Sequence, residues 1–314
     1  MGEDTEAGGD PRGDARLVAV WREHRQLALD VAYRMLGSLS DAEDVVQEAF
    51  TRLMRVDLSD IEDARGWLVV VVTRLCLDQL RSARSRREAY VGPWLPEPLV
   101  DAEGEEPDPA DRVTLDDSVR MALMVMLERL SPAERAAFVL HDVFGFSFEA
   151  VGSIVGRSPS ACRQLASRAR RHVREQASPA RFDVDPKVLQ GVAERFIRAS
   201  SGGDLDALMQ VLDPEVVGWT DTGGRVGAPR EPVAGRERVA KTFLAFLRSG
   251  GLSVASLTVN GEPGAVVYGE SAVVAVLAFE VRGGLITRIH GIASPQKLTH
   301  VPPALAPPAR DSLL

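Results

Sequence analysis

Six arginines and no acidic residue fall between Arg157 and Arg174. Their spacing suits one face of a helix, with Ala161, Cys162, Leu165, Ala166, Ala169 and Val173 on the other. A guanidinium fork fits the acceptor edge of guanine, and a glutamine amide such as Gln164 fits adenine. Each good bidentate pair discriminates by about 1–3 kcal/mol. Arginines not used on bases hold phosphate, which fixes register without reading sequence. The plain alternative is a solvated basic face.

Such a face reads a groove only if other elements present it. Ser131-Pro132-Ala133-Glu134 is a capping box with Pro at the first helical position. Ser147 can cap a short helix from Phe148 to Val155, Gly156 breaks the chain, and Ser158 can cap the basic helix. With Val119 to Leu130 as a leading helix, this is the order of a helix-turn-helix. Upstream, apolar residues recur at helical spacing from about Arg16, and Gly37 stops that helix. Ser40-Asp41-Ala42-Glu43 reads as a second capping box, opening a helix that buries Val45, Val46, Ala49, Phe50 and Leu53. A polar loop follows to Asp63. A third helix then opens near Arg65-Gly66-Trp67 and ends in a run of arginines at 81–87.

The chain has 314 residues, 45% of them hydrophobic, which suits two or three packed domains. Its net charge of −8 argues against a nucleic-acid binder, but the charge is segregated, with basic clusters at 81–87 and 157–174. Residues 91–117 hold five prolines, nine acids and one arginine, the composition of an extended linker. Trp94-Leu95-Pro96-Glu97-Pro98 at its start reads either as a docking segment or as a tryptophan in a loose tether. No secretory signal and no membrane span is legible. Cys76 and Cys162 form no metal-ligand pattern and are expected to stay reduced, so a cytoplasmic chain without cofactor or metal is expected.

The last third changes character. Two helices, 186–198 and one capped near Asp204, precede strands at 215–220, 252–260, 265–268, 272–281 and 285–293, with a further helix at 237–248 and a Gly283-Gly284 hairpin turn. This predicts an α+β domain with a curved antiparallel sheet. The expected organisation is a disordered tail (1–14), a helical domain (15–90), a linker (91–117), a helix-turn-helix domain (118–177), the α+β domain (183–294) and a flexible tail (295–314).

Three motifs carry a family resemblance. Asp41-Ala-Glu-Asp-Val-Val-Gln-Glu-Ala-Phe50, Ala64-Arg-Gly-Trp67 with Leu75-Cys-Leu-Asp78-Gln-Leu-Arg81, and the helix-turn-helix occur in the order and spacing of regions two and four. Together they make the chain similar to an extracytoplasmic-function (ECF) sigma factor of the sigma-70 family. The last domain resembles the SnoaL-like domain, a cone-shaped barrel, fused to one ECF subgroup. Trp94-Leu-Pro-Glu-Pro-Leu99 matches that subgroup's linker motif, and Asn260-Gly-Glu-Pro-Gly264 its turn. Asp221-Thr-Gly-Gly-Arg-Val226 and Ser294-Pro-Gln-Lys-Leu298 match two more motifs with substitutions.

The resemblance implies a subunit that brings core RNA polymerase to promoter DNA and helps to open it. It places Asp44, Gln47 and Glu48 on the polymerase, where complementary charge sets orientation and rate. It places Ser160, Arg163, Gln164, Ser167 and Arg168 on the −35 element, with Arg171 and Arg174 on phosphates. The loop at 56–64 would hold an unstacked −10 base, with Arg65, Trp67, Arg74, Arg81 and Arg84 along the separated strand; Trp67 suits the core equally well. Related SnoaL-like enzymes use an Asp or His acid/base, and Asp221 and His290 are the candidates here. Turn chemistry explains Asp221 and a structural hydrogen bond explains His290, so the domain is expected to be non-catalytic. By resemblance it contacts and controls the sigma domains in cis, through Trp94, Leu95 and Pro96 on one side and Asp221, Gly223, Gly224 and Arg225 on the other. The alternative is a DNA-binding ligand sensor or a SnoaL-like enzyme acting without polymerase.

Overall fold

The computed structural model describes residues 11–88, 92–100, 113–176, 185–224, 231–270 and 272–301, with backbone only at 11–14, 83–88 and 176. Three helices come first: α1 (Pro11–Leu36), α2 (Leu39–Leu53) and α3 (Ala64–Glu88). They pack through Val31, Ala32 and Met35, Val45, Val46 and Ala49, and Leu68, Val72 and Cys76. Helix α1 starts at Pro11, so residues 11–14 belong to a helix and not to the expected tail.

The second helical group is α4 (Met121–Leu127), α5 (Pro132–Phe138), α6 (Phe148–Val155) and α7 (Pro159–Gln176). Local chemistry drew its boundaries. The Ser131–Glu134 capping box forms in both directions, Ser147 caps α6, and the Ser158 hydroxyl accepts the Ala161 N–H. Between α5 and α6 the chain makes a π-type turn at Val139–Val143. The buried faces of α5, α6 and α7 are continuous with those of α1 to α3, so the two helical groups share one core.

The third group has helices α8 (Pro186–Ser201), α9 (Leu205–Val211) and α10 (Arg236–Ser249). Its sheet contains β1 (Leu212–Asp221), β2 (Val233–Ala234), β3 (Ser253–Val259), β4 (Glu262–Tyr268), β5 (Val273–Arg282) and β6 (Leu285–Ile292). The order is β2-β1-β6-β5-β4-β3. The sheet is mixed, not wholly antiparallel: β1 runs parallel to β6 because α10 and the meander β3 to β6 intervene between them. Period-2 alternation buries both faces. Ala265, Val267, Ala275, Leu277 and Phe279 pack under α8, α9 and α10. Leu257, Val259, Val266, Val276, Ala278 and Ile292 face the opposite way, against Leu95 and Met121 of the sigma-like part.

Two expectations of mobility fail for the same reason, burial of apolar side chains. The linker is ordered at 92–100, where Leu95 is buried on the apolar sheet face and Leu99 in the helical core, and again from Val113, also buried in the helical core. The tail remains docked to Val301, with Leu298 and Val301 buried on that same face. Residues 101–112 and 302–314 lie outside the described residues.

Candidate nucleic-acid interface and the junction that holds it

The basic face of α7 forms as the sequence implies. Cys162, Leu165, Ala166 and Ala169 are buried, while Ser160, Arg163, Gln164, Ser167, Arg168, Arg171 and Arg174 are all exposed. Several of these cations are steadied within their own group. Arg163 lies over the Phe148 ring at 5.1 Å, and Arg168 pairs with Glu134 at 3.1 Å. Arg171 makes no hydrogen bond or ion pair among the described residues, and Arg174 acts on Asp142 through its charge alone. Asp44, Gln47 and Glu48 project from α2 into solvent, and Glu48 meets Arg52 one turn on at 2.8 Å.

The basic residues of α3 are placed differently. The Arg65 guanidinium lies over Phe146 at 5.3 Å, and Arg74 donates to the carbonyls of Ser153 (3.3 Å) and Ile154 (3.5 Å) near the end of α6. Those carbonyls carry the negative end of the helix dipole, which suits a cation. Trp67 is half-buried against the shared core, Arg81 is exposed and paired with Asp78 at 2.9 Å, and the Arg84 side chain lies outside the described residues.

A polar junction binds linker, sheet and helices together. The Asn260 side chain accepts the Leu99 N–H (3.1 Å) and donates to the Val119 carbonyl (2.7 Å) and the Tyr33 hydroxyl (3.1 Å). Its own N–H donates to the Leu99 carbonyl (2.7 Å), and its φ is 53°. Asparagine tolerates that left-handed conformation better than most residues. Tyr33 hands its hydroxyl proton to the Glu97 carbonyl (2.7 Å), and burial pushes the phenol well above its ordinary range, so it stays a donor.

Glu97 reaches the start of α2. Its carboxylate accepts the Leu39 N–H at 2.8 Å, with Ser38 and Ser40 nearby. The true N-cap is Ser38, not Ser40 as the local pattern suggested: the Ser38 hydroxyl accepts the Asp41 N–H at 3.2 Å, and the distant Glu97 carboxylate takes a further first-turn N–H. Burial raises the Glu97 carboxyl above the usual carboxylate range, against the lowering effect of the Leu39 N–H. Gly37, at φ 68°, makes the approach possible: a Cβ there would lie 2.8 Å from Glu128 and 3.1 Å from Trp94.

Asp221 is fully buried. One carboxylate oxygen accepts the Gly223 N–H (3.0 Å), the expected turn; the other accepts the Leu95 N–H (2.8 Å) and pairs with Lys297 (2.7 Å). Lys297 also donates to the Leu95 carbonyl and sits 3.8 Å from the centre of the Trp94 ring. Gly223 and Gly224 take positive φ, while Arg225 falls outside the described residues. Pro96 is buried beside Leu95. His290 donates from Nε2 to Glu280 at 2.8 Å and stacks on Trp219. Asp221 and His290 thus lie on the sheet face turned toward the helical groups, away from the core under α8 to α10. Sequence reasoning did not single out Glu97, Tyr33, Lys297 or Glu280 as site residues. The first and third sat inside quoted motifs, which was the one available signal.

Residues 20–86 match the model for sigma-70 region 2, and residues 120–173 that for sigma-70 region 4. The chain is 45% identical over 284 residues to SigI of Mycobacterium tuberculosis, covering 90% of this chain and 94% of that one. It is 40% identical over 296 residues to that organism's ECF RNA polymerase sigma factor SigJ, at 91% and 94% coverage. This chain belongs to the ECF sigma factors. The crystal structure of M. tuberculosis SigJ matches it with a TM-score of 0.71 at 36% identity, covering 90% of this chain and 98% of that one. This ECF sigma factor therefore has region 2 in α1 to α3, region 4 in α4 to α7, and a C-terminal α+β domain of the SnoaL-like kind. Sigma factors bind core RNA polymerase and promoter DNA, and the relatives mark a transcription factor, not a catalyst. No helix among the described residues is long and apolar enough to cross a membrane.

Proposed function

We propose that the described arrangement is the closed form of this sigma factor, that its C-terminal domain maintains it in cis, and that loading on polymerase requires regions 2 and 4 to part. One observation carries the reading. Regions 2 and 4 share a single core, and Arg74 of α3 grips the end of α6. The −10 and −35 elements are separate stretches of DNA. Modules packed core to core, with Arg65 and Arg74 of one engaged on the other, cannot engage both, so promoter engagement needs an open form.

In this reading the exposed face of α7 contacts the −35 element: Ser160, Arg163, Gln164, Ser167 and Arg168 on bases, Arg171 and Arg174 on phosphates. Asp44, Gln47 and Glu48 meet polymerase. Arg65, Trp67, Arg74, Arg81 and Arg84 follow the separated −10 strand once α6 withdraws. The sigma parts span about 15–90 and 118–177, and the regulatory domain 183–294, all acting in the cytoplasm. Asp221 and His290 are occupied by structural partners, which supports a regulatory and non-catalytic domain.

The test combines distance and activity. Spin labels at Glu62 and His172, both exposed, should show one short distance in the free chain and a much longer one with core polymerase and promoter. An unchanged distance in the transcribing complex would sink the closed-form reading. Run-off transcription by the full chain and by chains ending near residues 180 and 295 should give different levels. A promoter gel shift of full strength without polymerase, together with no co-elution with core, would favour the sensor or enzyme instead.

A further inference from the structure

A cavity of about 210 Å³ lies where the linker, α4 and the sheet meet. Trp94 closes it from the linker, Ala122, Met126 and Arg129 from α4, and Trp219, Arg288 and His290 from the sheet. It lies on the sheet face opposite α8 to α10, so it is not a gap in that domain's own core. Its walls are built for more than packing. His290 is 2% exposed and stacks on Trp219 with 19° between planes, and the Arg288 guanidinium lies over the same indole at 5.7 Å. Glu280 holds His290 Nε2 at 2.8 Å and Arg288 at 3.4 Å. A carboxylate accepts, so Nε2 carries the ring proton and Nδ1 is left as an acceptor. That Nδ1 is buried and meets no partner among the described residues. Buried polar atoms are rarely left so, and the ring that carries this one lines the cavity.

We infer that this cavity binds a small planar aromatic molecule bearing a hydroxyl, the rings lying among Trp94, Trp219 and Met126 and the hydroxyl donating to His290 Nδ1. Indole faces and a thioether favour an aromatic ring, and the volume suits a molecule of about ten to fifteen heavy atoms, below the usual drug-sized pocket. Three separate walls make the site, so it exists only in the closed form. A ligand that binds only one of two states shifts the balance toward that state. The molecule therefore acts as a co-repressor. The effect on transcription rests on the closed-form reading; the binding does not.

The experiment uses the full-length chain and 2-naphthol as probe. Isothermal titration calorimetry should show one saturable site. Naphthalene, the same ring system without the donor, should bind at least tenfold more weakly. Ala122→Phe, which fills the cavity from α4, should abolish binding of 2-naphthol while keeping the unfolding midpoint. If that variant does not fold, the comparison of the two ligands decides alone. In run-off transcription, 2-naphthol at ten times its dissociation constant should lower output from the full chain about tenfold. No binding of 2-naphthol at millimolar concentration, undiminished binding to folded Ala122→Phe, or equal affinity for naphthalene would each overturn the site. Binding that leaves transcription unchanged or raises it would overturn the co-repressor role while leaving the site intact. A chain that binds the probe but never supports transcription with core polymerase would instead count against the sigma-factor mechanism.

Discussion

Helices α3 and α7 both present arginines suited to DNA, and the structure treats them in opposite ways. The cations of α7 are steadied inside region 4, by Phe148 and Glu134, and stay on the surface. Those of α3 reach across to the other module, to Phe146 and to the end of α6. On the proposed reading, the surface for duplex is thus ready in the closed form, while the surface for separated strand is engaged elsewhere. Such closure would leave the protein able to touch a promoter but not to open one.

The largest effect should come from the latch. Lys297→Met leaves the Asp221 carboxylate buried without its cation. Breaking such a pair typically costs about 3–5 kcal/mol, offset in the double variant with Asp221→Asn. Transcription by the single variant should rise, and a chain that transcribes no better would detach α3's engagement from the latch. Next, Asn260→Ala removes three side-chain hydrogen bonds from one point and places alanine at φ 53°. About 2–4 kcal/mol of closed-form stability should go, seen as a larger hydrodynamic radius and a lower unfolding midpoint.

A smaller effect depends on pH. Burial raises the Glu262 carboxyl to about 6, against the pull of nearby Arg120. A carboxyl raised on folding stabilises the folded form fully below the ordinary carboxylate value. That contribution is lost as pH rises toward about 6 and is absent above it. Glu262→Gln should therefore flatten the stability profile between about pH 4.5 and 6 and add roughly 1–2 kcal/mol at pH 7. A parallel profile in wild type and variant would refute that assignment.

The smallest effects divide the two helices most cleanly. Arg171→Ala should leave the closed form within about 0.5 kcal/mol of wild type. It should weaken promoter binding evenly across sequences and reduce the salt slope by about one. Arg74→Ala should instead loosen contact between regions 2 and 4 and slow promoter opening, with little change in duplex affinity. Reversed behaviour of the pair would break the comparison.

What the sequence disclosed follows the range of the forces involved. Ser131, Ser147 and Ser158 act on residues three places away, so the starts of α5, α6 and α7 were legible to within a residue, whereas the uncapped leading helix, expected at Val119 to Leu130, runs only Met121–Leu127. The start of α2 was misjudged by two residues: two serines offered a cap, Ser38 forms it, and a further first-turn acceptor, Glu97, comes from 58 residues beyond Leu39. The parallel placement of β1 beside β6 and the short β2 were likewise invisible, since sheet neighbours far apart in the chain leave no local mark. Proline-rich, acidic composition predicted a loose linker. Trp94 to Pro98 already read as either a docking segment or a loose tether, and composition could not choose between them or show that Leu95 settles on an apolar sheet face.

Glu97 gives the contact at α2 a further meaning. The helix proposed to greet polymerase is completed at its amino end by a carboxylate from the strap that fastens the fused domain. Unfastening the strap strips two N–H groups of their acceptor and lets the first turn of α2 fray. News of the far domain's release would thereby arrive, as a change in helix order, at the surface proposed to meet the enzyme.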